Sequence, residues 1–237
     1  MTAGTALPIP TRVLAIGAHP DDIEFGCGAT LAKWARAGAH VELAVLTDGS
    51  KGTWDPHSDL GALVQTRQEE QRAAARVLGA AGVHFLGAVD GELEADARMR
   101  ERVCALLRAV RPDVVLGHDP WKQYRLHPDH RHAGQLVIDG IVAARDPHFF
   151  PHAGVPHRPD HLLLFEAQVV DHVEAVDHAD VTAKVDALLC HHSQWLSTMG
   201  IDEAGNLADA QRAEFAAKVR ADAVASGGEP FKHLTEL

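Results

Sequence analysis

Apolar positions along this chain alternate between two spacings. Residues 12–18 (RVLAIGA) form a short apolar run of strand length, and from Asp22 onward Ile23, Cys27, Leu31 and Trp34 recur at three- and four-residue intervals until Gly38. That second spacing is the period of a helix with one buried face, ended by a glycine. The alternation then repeats. VELAVLT (41–47) predicts a second strand, followed by the glycine-bearing loop DGSKGTWDP and a helix from about Leu63 to Leu78 closed by Gly79. VHFLG (83–87) predicts a third strand, residues 96–110 a third helix, and DVVLGH (113–118) a fourth strand, with the loop DPWKQYRLHP after it. From Asp129 to Ala144, the residues Ala133, Leu136, Val137, Ile141 and Ala144 share one face of an amphipathic helix. Residues 145–160 carry four prolines and three histidines without a period, which predicts a loop able to rim a pocket. LLLFE (162–166) and HVEAVD (172–177) read as late strands, and helices near 180–191 and 207–225 finish the chain.

Strands alternating with helices imply an α/β fold with a mainly parallel sheet covered on both faces and right-handed crossovers. With 237 residues, 46% of them hydrophobic, and no repeat or linker that divides it, the chain is expected to form a single domain over 1–237. Lysine and arginine total 22 against 33 acidic residues, and a formal charge of -11 repels a phosphate backbone, so nucleic acid is not an expected partner. No apolar run approaches the roughly 18 residues of a membrane span, and the first ten residues lack the charged and apolar regions of a signal peptide. A cytoplasmic protein with no membrane association is expected. Cys27, Cys104 and Cys190 are odd in number and widely spaced, which fits core residues better than a disulfide framework or a CxxC knuckle. Seventeen histidines, by contrast, are far above ordinary usage.

In open parallel sheets, ligands bind beyond the carboxyl ends of the strands. Two polar clusters fall there: His19, Asp21 and Asp22 of AHPDD after the first strand, and His118, Asp119 and then HPDH (127–130) after the fourth. They converge on one rim if those strands are neighbours. His19 and Asp22, three positions apart, can turn to one side of a helix's first turn and hold one ion. His130 supplies a third ligand and leaves a fourth position for water. Two imidazoles and a carboxylate suit Zn²⁺, and Fe²⁺, Co²⁺ or Mn²⁺ fit the same set. Such an ion lowers the pKa of bound water and polarises a carbonyl, which is hydrolytic chemistry. Asp21 is then placed as general base. His127 is placed to stabilise a developing oxyanion or protonate a leaving amine, with Asp129 as its orienting carboxylate. The competing roles are local: an aspartate at a helix start is a good cap, and His-Pro marks an extended turn.

The ordered set AIGAHPDDIEFGCGATLAKWARAGAHVELAVLTDGSKG, TRQEEQRAAARVLG, FLGAVDGEL, RPDVVLGHDPW with RLHPDHR, and HHSQ resembles the signatures of the PIG-L/LmbE-like family of metal-dependent N-deacetylases. The resemblance implies a Rossmann-like, three-layer LmbE-like fold and hydrolysis of N-acyl groups, usually acetyl, from aminosugars and their conjugates, normally with zinc. It carries metal ligands onto His19, Asp22 and His130, the general base onto Asp21, and oxyanion stabilisation onto His127. Arg67 of TRQEE is expected to face the sugar side of the pocket, with a surface pair to Glu70 as the alternative. Asp119 and Tyr124 either contact substrate or shape a turn, and Asp48 either binds a hydroxyl or caps its loop. His191 matches a late histidine of the family, with the choice between it and His192 open. Relatives often carry glutamate where this chain has Ser50.

The expected partner is therefore a small N-acylated aminosugar or conjugate, with the oligomeric state open. Two alternatives are an amidase for a thiol conjugate or a lipoglycopeptide acyl amide, with the 145–160 loop as acyl pocket, and a metal- or sugar-binding protein without turnover. GAHPDD lacks the GxGxxG fingerprint and sets acid where a pyrophosphate would lie, which disfavours a dinucleotide enzyme.

Overall fold

The computed structural model describes residues 6–203 and 206–237. Its elements run β1 (Arg12–Gly17), α1 (Asp22–Arg36), β2 (His40–Thr47), α2 (Leu60–Leu78), β3 (Gly82–Ala88), α3 (Ala97–Val110), β4 (Val114–His118), α4 (Pro128–Arg145), β5 (His161–Phe165), β6 (His172–Glu174), α5 (His178–Leu188), α6 (Ala208–Ser226) and β7 (Glu229–Leu234), with a 3-10 turn at His192–Gln194 and a π turn at Trp195–Met199 between α5 and α6. The strands form one sheet in the order β3-β2-β1-β4-β5-β7-β6. β1 to β5 are parallel, and β7 runs antiparallel to both its neighbours.

Strand alternation sorts the core into two layers. Val13 and Ala15 of β1, with Val41, Leu43, Leu116 and Phe165, pack under Ile23, Leu31, Trp34, Leu78 and Ala187 from α1, α2 and α5. Leu14 and Ile16, with Leu46, Val115 and Leu164, pack under Val103, Leu107, Leu136, Val137 and Ile141 from α3 and α4. The result is a three-layer α/β sandwich. The chain leaves β1 toward β2 on one side and β4 toward β5 on the other, so the loops at the ends of β1 and β4 part and leave a crevice between them.

Helix α1 is broken at Cys27, whose φ of -151° is not helical. The break frees the carbonyl of Phe25 and the amides of Ala29 and Thr30. Lys184 Nζ donates to Phe25 O at 2.7 Å, and Glu229 accepts from Ala29 N at 3.1 Å and Thr30 N at 2.7 Å. Lys184 and Glu229 close the arrangement with a 2.6 Å ion pair. One buried pair thus ties α5 and β7 to the helix that opens the site.

Four features differ from the sequence expectations. The C-terminal strand β7 follows a chain end read as closing on a helix; its Pro230 is tolerated because the β5 ladder stops at Phe231, so Pro230 lies opposite β6 alone. The strand expected over 172–177 is only three residues long, and the helix expected to reach 191 stops at Leu188. Residues 145–160 follow the far end of α4, away from the β1–β4 crevice, and fold back to the start of β4, where Asp160 N donates to Asp113 O at 2.8 Å. Arg108 holds that loop, donating to Ala143 O, Asp146 O and Phe149 O from one nitrogen and to Phe150 O from another. Among the described residues, no helix is long and apolar enough to cross a membrane.

Replacing Glu229 with alanine strands the Lys184 ammonium and two helix amides in a buried place. The expected loss is about 3 kcal/mol or more, a drop in Tm of roughly 10 °C for a chain of this size. Thermal unfolding followed by circular dichroism checks it; a variant melting within about 2 °C of the parent contradicts the account.

Candidate metal centre

The loop after β1 is pinned by Thr47, whose backbone N–H and hydroxyl both donate to Ala18 O. It then turns sharply: Asp21 takes a φ of 100° at the position preceding α1, and its side chain makes no cap bond. A non-glycine residue in that region costs of order 1–3 kcal/mol and needs its surroundings to hold it. Gln71 Oε1 accepts from Asp21 N at 3.1 Å, and Arg67 NH2 donates to Pro20 O at 2.7 Å. Asp21 is therefore not a cap, and its carboxylate is left for other work.

Three donor atoms meet where this turn faces α4. His19 Nδ1 lies 3.3 Å from Asp22 Oδ2 and 3.2 Å from His130 Nε2, and His130 Nε2 lies 3.2 Å from Asp22 Oδ1. His19 presents Nδ1 inward because Nε2 donates outward to Asp129 Oδ2 at 3.0 Å and faces Asp90 Oδ1 at 3.2 Å. Carboxylates beyond a ligating histidine fix its tautomer and raise its basicity. Burial opposes a charge on His19, yet hydrogen bonds to Asp129, Asp22 and Asp90 push it up to about 12. This place asks for positive charge. Two nitrogens and a carboxylate within 3.3 Å, backed by two more carboxylates, are a donor set that fits a divalent cation. Other groups gather too: His19 and His127 with Asp90 and Asp129, Asp22 and His130 with His118, and, the one whose members all line the cleft, His19, His127 and His130. This last is the poorer fit, because His127 Nδ1 accepts from Asp129 N at 3.3 Å and no negative charge is included. Arg125 NH1 lies 2.9 Å from His130 Nδ1; in a neutral ring that donation leaves the proton on Nε2, so an ion there requires Arg125 to leave His130 for its other partners, Glu166 and His118.

Burial lifts the Asp21 carboxyl to about 6, against the pull of Arg67, whose NH2 is 3.6 Å away. Burial also opposes charge on Asp22, but His118 and His130 hold it well below the usual carboxylate range. His127 is lowered, by burial first and then by its two histidine neighbours. Its ring sits 4.6 Å from that of His19.

The cleft over these residues has a volume of about 460 Å³ and is lined by His19, Asp21, Asp22, His127 and His130, with Phe25, Lys51, Arg67, Asp90, Glu166, Gln194 and Thr198. A larger cavity of about 1030 Å³, running under α6, shares Phe25, Glu166 and Thr198 with it. Arg67 is buried on the cleft wall and pairs with backbone carbonyls, not with Glu70, which accepts from Ser193. Close passage of Arg67 is allowed by Gly52, where a Cβ would meet NH1 at 2.2 Å.

Other expected positions fall outside the cleft lining. Asp129 turns its carboxylate to His19, and only its backbone to His127, because Gly91 N and Leu93 N draw the side chain toward β3's loop. Asp48 accepts from Ser50 N and Asp90 N, and Asp119 from Trp121 N and Gln168 N, so both shape turns. Tyr124 is 85% exposed. His191 is fully buried, facing Glu24 Oε2 at 3.6 Å behind Asp21, while His192 stacks on Trp195. The sequence places His118 in the cluster after the fourth strand without giving it a role, and gives none to Asp90 or Gln71. Asp90 had a signal, since FLGAVDGEL was among the family signatures, but Gln71 and His118 act through contacts that no local spacing reveals.

Residues 14–141 match the PIG-L family, described as GlcNAc-PI de-N-acetylase. The chain is 34% identical over 200 residues to the diacetylchitobiose deacetylase of Thermococcus kodakarensis, covering 78% of this chain and 70% of that one. It is 33% identical over 183 residues to the uncharacterized deacetylase YaiS of Escherichia coli, covering 76% and 90%. It superimposes on N,N'-diacetylchitobiose deacetylase from Pyrococcus horikoshii, solved with its inhibitor MPG, with a TM-score of 0.82, 27% identity, and coverage of 95% and 84%.

The two donor sets whose members all line the cleft share His19 and His130 and differ in their third member. Zinc titration of chelator-treated protein separates them. Asp22→Ala is expected to weaken zinc by more than the roughly 10–100-fold that loss of an outer partner costs, and His127→Ala by less than about tenfold. The reverse ranking places the ion on the three-histidine set.

Proposed function

The chain belongs to the PIG-L family, and from that premise we propose that it is a metal-dependent N-deacetylase, one domain over 1–237, that removes an acetyl group from an aminosugar or aminosugar conjugate. The observation that carries this is the meeting of His19, Asp22 and His130 within 3.3 Å, beside a carboxylate, Asp21, that no cap or ladder uses. His19, Asp22 and His130 would hold the ion; two imidazoles and a carboxylate suit zinc, and Fe²⁺, Co²⁺ or Mn²⁺ fit the same set. When bound, such an ion polarises the amide carbonyl and makes water acidic enough to attack at neutral pH.

The protein's own groups supply the proton movements. Asp21 takes the proton of the attacking water as its oxygen bonds to the acyl carbon, and delivers it to the amine nitrogen as the C–N bond breaks. Burial favours this by raising the basicity of its carboxylate. His127 accepts the Asp129 N–H at Nδ1, so a neutral ring carries its proton on Nε2. That N–H is the donor for the carbonyl oxygen as it becomes anionic. Arg67 holds the strained Pro20–Asp21 turn and keeps the base in place.

The acyl-pocket role weighed for the 145–160 loop has no support, since that loop packs on Arg108 away from the cleft. The cavity under α6 supports a conjugate over a free monosaccharide, because it continues the cleft past Phe25 and Glu166. Three unpaired cysteines support a reducing, cytoplasmic setting.

Two outcomes test this reading. Asp21→Ala is expected to keep zinc yet lose on the order of 100-fold or more in amine release from N-acetylated sugars, and His130→Ala to lose both; an Asp21 variant with parental turnover overturns the mechanism. Among substrates, one bearing a second unit beyond the aminosugar is expected to show a higher kcat/KM than the N-acetyl monosaccharide. Equal values remove the α6 cavity from the account.

A further inference from the structure

His118 closes β4 with its side chain 1% exposed; its ring gathers with Asp22 and His130 as a further close group of ligand-type atoms, yet unlike them it does not line the cleft. Its ring is held by two neighbouring rings and its backbone by α4. It stacks on His130 at 4.5 Å and 12°, meets Phe165 edge-on at 4.5 Å, and its own carbonyl presses on α4 at Gly134, where a Cβ would come within 2.4 Å.

Both ring nitrogens point at carboxylates. Nε2 lies 3.2 Å from Asp22 Oδ2, and Nδ1 lies 3.3 Å from Glu166 Oε2, which Arg125 NH1 also holds at 2.5 Å. The Ala18 N–H also points at Nε2, from a longer 3.4 Å, while Arg125 NH1, which can only donate, faces Nδ1 at 3.5 Å and so leaves the proton of a neutral ring on Nε2, toward Asp22. Oδ2 of Asp22 is therefore held by His118 Nε2 and the His19 backbone N–H at 2.7 Å, with the His19 ring nitrogen beside it at 3.3 Å, while Oδ1 is the oxygen turned to His130. A carboxylate free to rotate would have to be ordered when an ion arrives; one already fixed by two donors has that cost removed.

We propose that His118 is a positioning residue that locks the Asp22 carboxylate in its ion-holding orientation, with Glu166 setting the ring. This rests on the reading of Asp22 as a metal ligand. Outer partners of this kind set ligand orientation and hence affinity.

The test is zinc affinity, measured by competition with a chromophoric chelator, together with melting of the metal-free proteins. His118→Leu removes the donor and is expected to weaken zinc by roughly 10–100-fold. His118→Gln, whose amide N–H can reach Oδ2 from the same side, is expected to recover most of that loss at the same metal-free Tm. A merely structural ring would move both affinities with the melting temperature and would not separate the two variants. If the leucine variant fails to fold, His118→Asn takes its place, because its amide ends at the Nδ1 position and cannot reach Asp22. Zinc binding by the variant lacking the donor within about twofold of the parent overturns the proposal, as does a glutamine variant no better than it. Parent protein that takes up no zinc overturns the ligand reading and this inference together, whereas zinc uptake without amine release overturns only the deacetylase reading.

Discussion

The arrangement of this protein depends on how negative charge is accommodated at the parting of β1 and β4. Asp22, Asp90 and Asp129 all bring carboxylate oxygens within 3.3 Å of one imidazole, His19. Buried charges are expensive unless paired, and a chain with a formal charge of -11 has no surplus of cations to spend there. Of the two guanidiniums beside the site, Arg67 is committed to Gly49 O and Pro20 O, and Arg125 is paired with Glu166. A cation held by the proposed set of His19, Asp22 and His130 would offset that negative charge.

The scaffold keeps that charge cluster rigid by separating two jobs within α1. Before Cys27 the helix supplies the turn that carries Asp22; after it, Leu31 and Trp34 bury the packing face. The exposed helix ends inside the protein are met by Lys184 and Glu229, so the break is stabilised by the ion pair that also fastens β7. On the other wall, Gly134 lets α4 come close to the end of β4, which brings His130 against His118 and both against Asp22. Site geometry and sheet packing are in this sense one structure.

Much of this was legible in local pattern. The strand–helix rhythm from β1 to α4 follows from apolar spacing, and the sheet edge carrying AHPDD and HPDH follows from where those motifs interrupt the rhythm. The C-terminal strand was not legible, because Glu229 and His233 break its apolar alternation and Pro230 argues against a strand; only pairing with β5 and β6 makes it one. The extent of residues 172–177 and the helical turns after Leu188 were likewise decided by neighbours.

By itself, then, the sequence determined the layer architecture and which residue types gather beyond the strands, since both rest on interactions between residues one to four positions apart. Tertiary structure alone decided who partners whom: Asp129 with His19 across 110 positions, His118 with Asp22 across 96, and Gln71 with the strained Asp21 across 50. It also sent His191 inward to Glu24 and the 145–160 loop away to Arg108. Partner choice turns on separations near 3 Å, and those are set by how closely whole helices and strands approach, at places such as Gly134 that no local period marks.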